Sequence, residues 1–217
     1  MMRGQTREAF FARIRESLTD RGAPVELPSD LEVARVTASG VDLVTLFMDR
    51  AQQVGMRPER VVDDRAAAAK VVEIVTAAGR ASAILPEEDI PARALIVDGL
   101  KGKGVRLMDV NDRDAAFDAD FGITGVSCAI AETGSLCVDS GGTHRRLASL
   151  AVPHHIALVR AEQIVPDLLD FAARVSKDDI PANMTLISAP SKTADIEMIL
   201  VEGVHGPKVV HIIVIAS

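Results

Sequence analysis

The chain has 217 residues, 48% hydrophobic and 25% charged, with a formal charge of −7. That length can bury a substantial core, and that composition excludes a largely disordered protein. The negative charge argues against broad nucleic-acid binding, which relies on Lys and Arg neutralising phosphates, and the lack of Trp and Tyr removes the usual platforms for stacked bases.

Residues 5–19 set Phe10, Ile14 and Leu18 four apart, with Phe11 beside them, on a stretch otherwise rich in Arg and Glu. This pattern predicts an amphipathic helix that packs on its own domain or docks on a partner. Its acids set it apart from a signal peptide, and no run in the chain approaches the roughly 18 apolar residues that cross a bilayer. A soluble, cytoplasmic protein is expected. Residues 20–40 hold Gly22, Pro24 and Pro28 with little periodicity and read as a linker, so the organisation is an arm and linker over 1–40 and an α/β domain over 41–217.

Leu43, Phe47, Ala51 and Val54 form a helical stripe ended by Gly55, a residue suited to a left-handed cap. Val61 and Val62 make a short strand, and Asp63 or Asp64 can cap a helix whose inner face is Ala68, Val71, Val72 and Val75. Residues 81–85 are a buried strand stopped by Pro86, 91–101 a helix, and 105–108 another strand. Further strands are expected over 153–159, 184–188 and 209–215. A short helix is expected over 144–150, and a longer one over 166–175 with Leu169 and Ala173 inward. Helix and strand taking turns predict an α/β fold, an open, mostly parallel sheet flanked by helices on both sides.

The stretch ITGVSCAIAETGSLCVDSGGTHRR, residues 123–146, places Glu132 between two apolar half-strands and follows it with Thr133 and Gly134. A carboxylate there must stay hydrated, find donors or take up a proton, which a pocket permits. Glu132 can act as nucleophile, general base or structural acceptor of backbone N–H groups. Beyond a Gly-Gly pair lie Arg145 and Arg146, cations suited to an anionic ligand. The two cysteines, Cys128 and Cys137, flank Glu132 without a CxxC spacing, which favours a reducing compartment and leaves the chain unable to hold an iron–sulfur cluster alone.

In SAPSKTADIE, residues 188–197, a strand end is expected to run through a loop into a helix, with Ser191 or Thr193 as cap and Lys192 adding charge. Thr193 and Glu197 would share one face of that helix, with Asp195 to the side. The alternative is an ordinary capped helix with a surface lysine. His205, bracketed by Gly203 and Gly206, is a candidate for proton transfer or a solvent-facing turn residue. His154 and His155 are neighbours on a strand and point to opposite faces, so no metal site is predicted. No G-x-S-x-G elbow, Walker loop or G-x-G-x-x-G occurs.

The blocks GITGVSCAIAETGSL (122–136), Arg146 to Pro153, SAPSKTADIE (188–197) and GVHGP (203–207) resemble, in their order, the signatures of the LUD-domain family of the lactate utilization protein C type. The resemblance implies a sheet of the NagB/RpiA/CoA-transferase-like kind. It also implies a role in oxidising L-lactate to pyruvate beside iron–sulfur partner proteins that carry the redox centres, with no cofactor on this chain. Whether the chain itself catalyses a step is left open by the likeness. CoA transferases of related fold form an acyl intermediate on a glutamate, which invites comparison with Glu132 as analogy only. Family members often carry Arg where this chain has Lys192, and a lysine keeps the charge but loses the bidentate grip on a carboxylate. The expected site is a cleft for a small anionic ligand, built from residues 131–135, 191–197 and 203–206. The alternatives are a non-catalytic assembly factor for the redox partners and an independent enzyme resembling formyltetrahydrofolate cyclo-ligase.

Overall fold

The computed structural model describes residues 6–19, 35, 37, 40–79, 82–87, 90–109, 111–140, 146–175, 181–193 and 201–216. The chain divides into two units, Met1–Arg35 and Val36–Ser217. In the first, helix α1 (Arg7–Leu18) starts where the Thr6 hydroxyl accepts the Ala9 N–H at 3.3 Å. Phe10, Phe11, Ile14 and Leu18 are all exposed along it.

The second unit runs α2 (Leu43–Gln53), β1 (Arg57–Val61), α3 (Asp64–Ala77), β2 (Ser82–Ile84), α4 (Arg93–Gly102), β3 (Arg106–Met108), α5 (Arg113–Asp118), β4 (Phe121–Gly125), β5 (Cys128–Ile130) and β6 (Ser135–Ser140). It continues with α6 (Leu147–Leu150), β7 (His154–Arg160), β8 (Ile164–Val165), α7 (Leu168–Arg174), β9 (Asn183–Ile187), β10 (Lys192–Thr193), β11 (Val201–Glu202) and β12 (Val209–Ile215). Aspartates begin many of these helices. Asp42, Asp63, Asp112 and Asp167 each accept backbone N–H groups of the first turn, satisfying donors that lack intrahelical partners. Gly55 and Gly79 follow α2 and α3 at φ 93° and 64°, a conformation that costs a residue with Cβ.

Six strands form a wholly parallel sheet in the order β1-β12-β7-β4-β2-β3. Side chains alternate across it. Phe121, Ile123, Ile156, Leu158, Ile213 and Ile215 meet Val71, Val75, Ile96 and Leu100 of α3 and α4 on one face. Ala157, Val159, Ile212 and Val214 meet Phe47 and Ala51 of α2 on the other. α6 also lies on that second face, over Gly122, where an added Cβ would sit 1.6 Å from the Ala148 carbonyl oxygen. Glycine is therefore required at 122 for close approach rather than for its dihedral freedom.

One part of the architecture differs from the sequence-based expectation. β5, β6, β8 and β9 leave the parallel sheet and form a second one, ordered β8-β5-β6-β9, in which β6 pairs antiparallel with both neighbours. Its inner face, with Ala129, Leu136 and Val138, packs on the parallel sheet. Its outer face, with Cys128, Ile130 and Cys137, packs against Phe171 of α7. A strand buried on both sides reads as a continuous apolar run whichever sheet it joins, which is why the pattern pointed to one sheet. In α7, Phe171 rather than Ala173 makes the inward contact, and Ala173 is exposed.

Candidate functional site

The turn 131–134 joins β5 to β6. It is anchored at its start, where the N–H groups of Ala131 and Glu132 donate to the carbonyls of Val165 and Pro166 at 2.8 and 3.0 Å. Its end is pressed onto α2. Gly134 has φ 68°, and a Cβ there would fall 2.4 Å from the Ala51 nitrogen and 2.7 Å from the Arg50 carbonyl carbon. Glu132 is half-buried between these supports, and among the described residues no hydrogen bond or ion pair reaches its carboxylate.

From this turn a chain of hydroxyls leads to the end of β9. Thr133 Oγ1 donates to Ser135 Oγ at 2.7 Å, and Ser135 Oγ is 2.7 Å from Ser188 Oγ. Ser191 then joins the next loop. Its N–H donates to the Pro207 carbonyl and its carbonyl accepts the Gly203 N–H, both at 2.8 Å. Gly206 lies so close to Ser191 that a Cβ would be 3.3 Å from the serine Cβ and 3.6 Å from the Leu150 carbonyl oxygen. Segments 133–135, 188–191 and 203–207 are thus stitched together, and the end of α6 abuts them.

This junction lies at the amino ends of the parallel strands. Pro207 lies two residues before β12, and the Lys208 N–H donates to the Pro153 carbonyl, just before β7, at 2.9 Å. The loop 188–193 does follow a strand, but that strand is β9 of the second sheet and not one of the parallel strands. Nor does a helix begin at residue 191. Lys192 and Thr193 are extended and pair with Glu202 and Val201, because an antiparallel ladder satisfies their backbone groups instead.

Lys192 Nζ is 3.6 Å from Glu202, and a Cβ on Gly55 would meet that same Nζ at 3.5 Å. Part of its charge is therefore already balanced. Arg146 is exposed at the start of α6, where its carbonyl accepts the Ser149 hydroxyl at 3.0 Å. Arg145, Asp195 and Glu197 lie outside the described residues. His205 is exposed and lines an open recess of about 390 Å³ with Phe117, Leu150, Pro153, Val204 and Gly206; the Glu132 turn is not part of that lining.

Sequence reasoning missed a polar pair beneath this junction. His154 and His155 do point to opposite faces, His154 against the Phe121 ring at 4.9 Å and His155 into the second face of the sheet. His155 is fully buried, its Nε2 is 2.9 Å from Thr124 Oγ1, and its Nδ1 has no partner among the described residues. Burial lowers its pKa from 6.5 to about 4, so the ring is neutral at neutral pH. The signal available was a histidine followed by the apolar run IALV, next to a strand carrying Gly and Thr. His211, on the opposite face, is also lowered to about 4, by burial and by the charges of Arg57 and His154.

The LUD domain profile matches residues 44–215, almost all of the α/β unit. Lactate utilization protein C of Deinococcus radiodurans is 33% identical over 179 residues, covering 77% of this chain and 82% of that protein. Lactate utilization protein C of Halalkalibacterium halodurans is 36% identical over 99 residues, less than half of either chain. Among solved structures, a DUF162 family protein from Deinococcus radiodurans superposes with a TM-score of 0.57 at 27% identity, covering 80% of this chain and 96% of that one.

Proposed function

Because the chain belongs to the LUD domain family, we propose that it serves lactate utilisation as one component of a system that oxidises L-lactate to pyruvate beside iron–sulfur partner proteins. In this reading the stitched loops bind a small anionic ligand, and the redox centres sit on the partners, since two buried thiols on this chain are too few to hold a cluster. The observation that carries it is the junction itself. Three hydrogen bonds of 2.7–2.8 Å draw three distant segments together beside a half-buried carboxylate that lacks a partner among the described residues. Such convergence of polar groups is how binding sites are assembled on α/β scaffolds.

Glu132 is the acid or nucleophile of the site. Thr133 and the backbone of Gly134 hold the turn that carries it. Arg146, with Lys192, supplies positive charge, while Ser191, Thr193 and Gly206 complete the wall. His205 moves protons at the rim.

The test is a thermal-shift screen of the isolated chain against lactate, pyruvate, CoA esters, sugar phosphates and nucleotides, repeated with Glu132→Gln. Binding to the folded state raises apparent stability. A ligand that stabilises the parent and not the variant supports the reading. Unchanged lactate oxidation by a complex reconstituted with Glu132→Gln refutes chemistry at Glu132.

A second reading, a non-catalytic assembly factor, draws on α1, which leaves Phe10, Phe11, Ile14 and Leu18 exposed at 53, 41, 39 and 42%. Deleting residues 1–20 separates the two: loss of partner binding with ligand binding intact favours assembly.

A further inference from the structure

A second cavity lies on the far side of the antiparallel sheet, away from the stitched loops. Because Ala129, Leu136 and Val138 face the parallel sheet, the alternate residues Cys128, Cys137 and Asp139 face outward, toward α7. Between them and α7 is a space of about 240 Å³, lined by Ser127, Cys128, Asp139, Phe171, Arg174 and Met184 together with Val175 and Pro181. That is below the roughly 300–1,000 Å³ of sites for drug-sized ligands, so its occupant is small.

Among the described residues the lining carries one cation and one anion, and these do not pair with each other. Among the described residues, Asp139 accepts only the weak S–H of Cys137, at 3.4 Å. Arg174 interacts with the Cys128 sulfur, which its charge draws toward the thiolate even though burial raises that thiol overall. Both protein partners are soft, weakly bonding sulfur groups, which leaves the carboxylate and the guanidinium with hydrogen-bonding capacity to spare. Phe171, Met184, Val175 and Pro181 give the same cavity an apolar wall. Separated opposite charges beside an apolar wall are the recognition elements of a zwitterion with a hydrocarbon tail.

We propose that this cavity binds a free apolar α-amino acid, its carboxylate on Arg174, its ammonium on Asp139 and its side chain against Phe171 and Met184. The proposal does not depend on the ligand bound at the Glu132 turn. None of the lining residues belongs to that junction, so either site can fail without the other.

The experiment titrates the full chain with leucine and methionine by calorimetry and follows the Met184 methyl signal by NMR, assigned with Met184→Leu. Binding is expected to shift that signal. N-acetyl-leucine, which lacks the ammonium, and leucinamide, which lacks the carboxylate, are expected to bind at least about tenfold more weakly, as are Asp139→Asn and Arg174→Gln with parent leucine. Unliganded melting temperatures of the two variants close to the parent establish that they are folded. If isovalerate binds as well as leucine, the zwitterion assignment is overturned. Binding without movement of Met184, or no binding of any amino acid at millimolar concentration, overturns the site.

Discussion

Gly134→Ala separates packing from dihedral preference at the turn that carries Glu132. At φ 68° an alanine enters the left-handed region at a cost of about 1–2 kcal/mol. Its methyl would also lie 2.4 Å from the Ala51 nitrogen and 2.8 Å from the Ala51 Cα, atoms of a helix backbone that cannot rotate aside. Overpacking of that kind adds about 1–3 kcal/mol. The total of ~3 kcal/mol corresponds to a fall in melting temperature of roughly 6–12 °C for a domain of this size. Gly79→Ala is the control, because it has a similar φ of 64° and nothing within 4 Å of the added carbon, so it carries the dihedral cost alone. Urea unfolding of both variants checks the difference. Equal losses at the two positions would refute the close approach of turn and helix.

Three further outcomes follow from the geometry. The buried His155, lowered to about 4 when folded against 6.5 unfolded, binds fewer protons in the native state over that interval, so stability is lost as pH falls from about 6.5 to 4. The loss is about 3 kcal/mol at full extent, and a urea midpoint measured against pH should be flatter for His155→Gln than for the parent. Thr124→Val removes the hydroxyl 2.9 Å from His155 Nε2 and leaves both ring nitrogens without partners among the described residues, at an expected cost of about 1–3 kcal/mol by equilibrium unfolding. Ser135→Ala and Ser188→Ala, which share one 2.7 Å hydrogen bond, should be non-additive by about 1 kcal/mol in a double-mutant cycle; strict additivity would deny the bond.

The parallel sheet was legible because its signals are local. The stripe Leu43, Phe47, Ala51, the aspartate before α3 and the apolar run of β12 each announce their element within a dozen residues, and all are where the pattern put them. α5 was missed although Asp112 and Asp114 mark its start, since six residues are too few for periodicity to emerge. The second sheet was hidden for a different reason. Which strand pairs with which is decided by contacts between residues such as Leu136 and Ile187, some fifty positions apart, and not by either run alone. The candidate site was legible in part. AETG, SAPSK and GVHGP were singled out, but the hydroxyl relay from Thr133 to Ser188 and the pairing of His155 with Thr124 depend on that same tertiary register.

The edge position of β1 has a bearing on synthesis. Its neighbour in the sheet is β12, made long after it, across a separation that spans most of the α/β unit. While the polypeptide is still emerging from the ribosome, Arg57–Val61 therefore has no ladder to join, and closing so long a loop carries a large entropic barrier. Arg57 and Glu59 on that short segment place charge where an idle strand would otherwise invite pairing between nascent molecules.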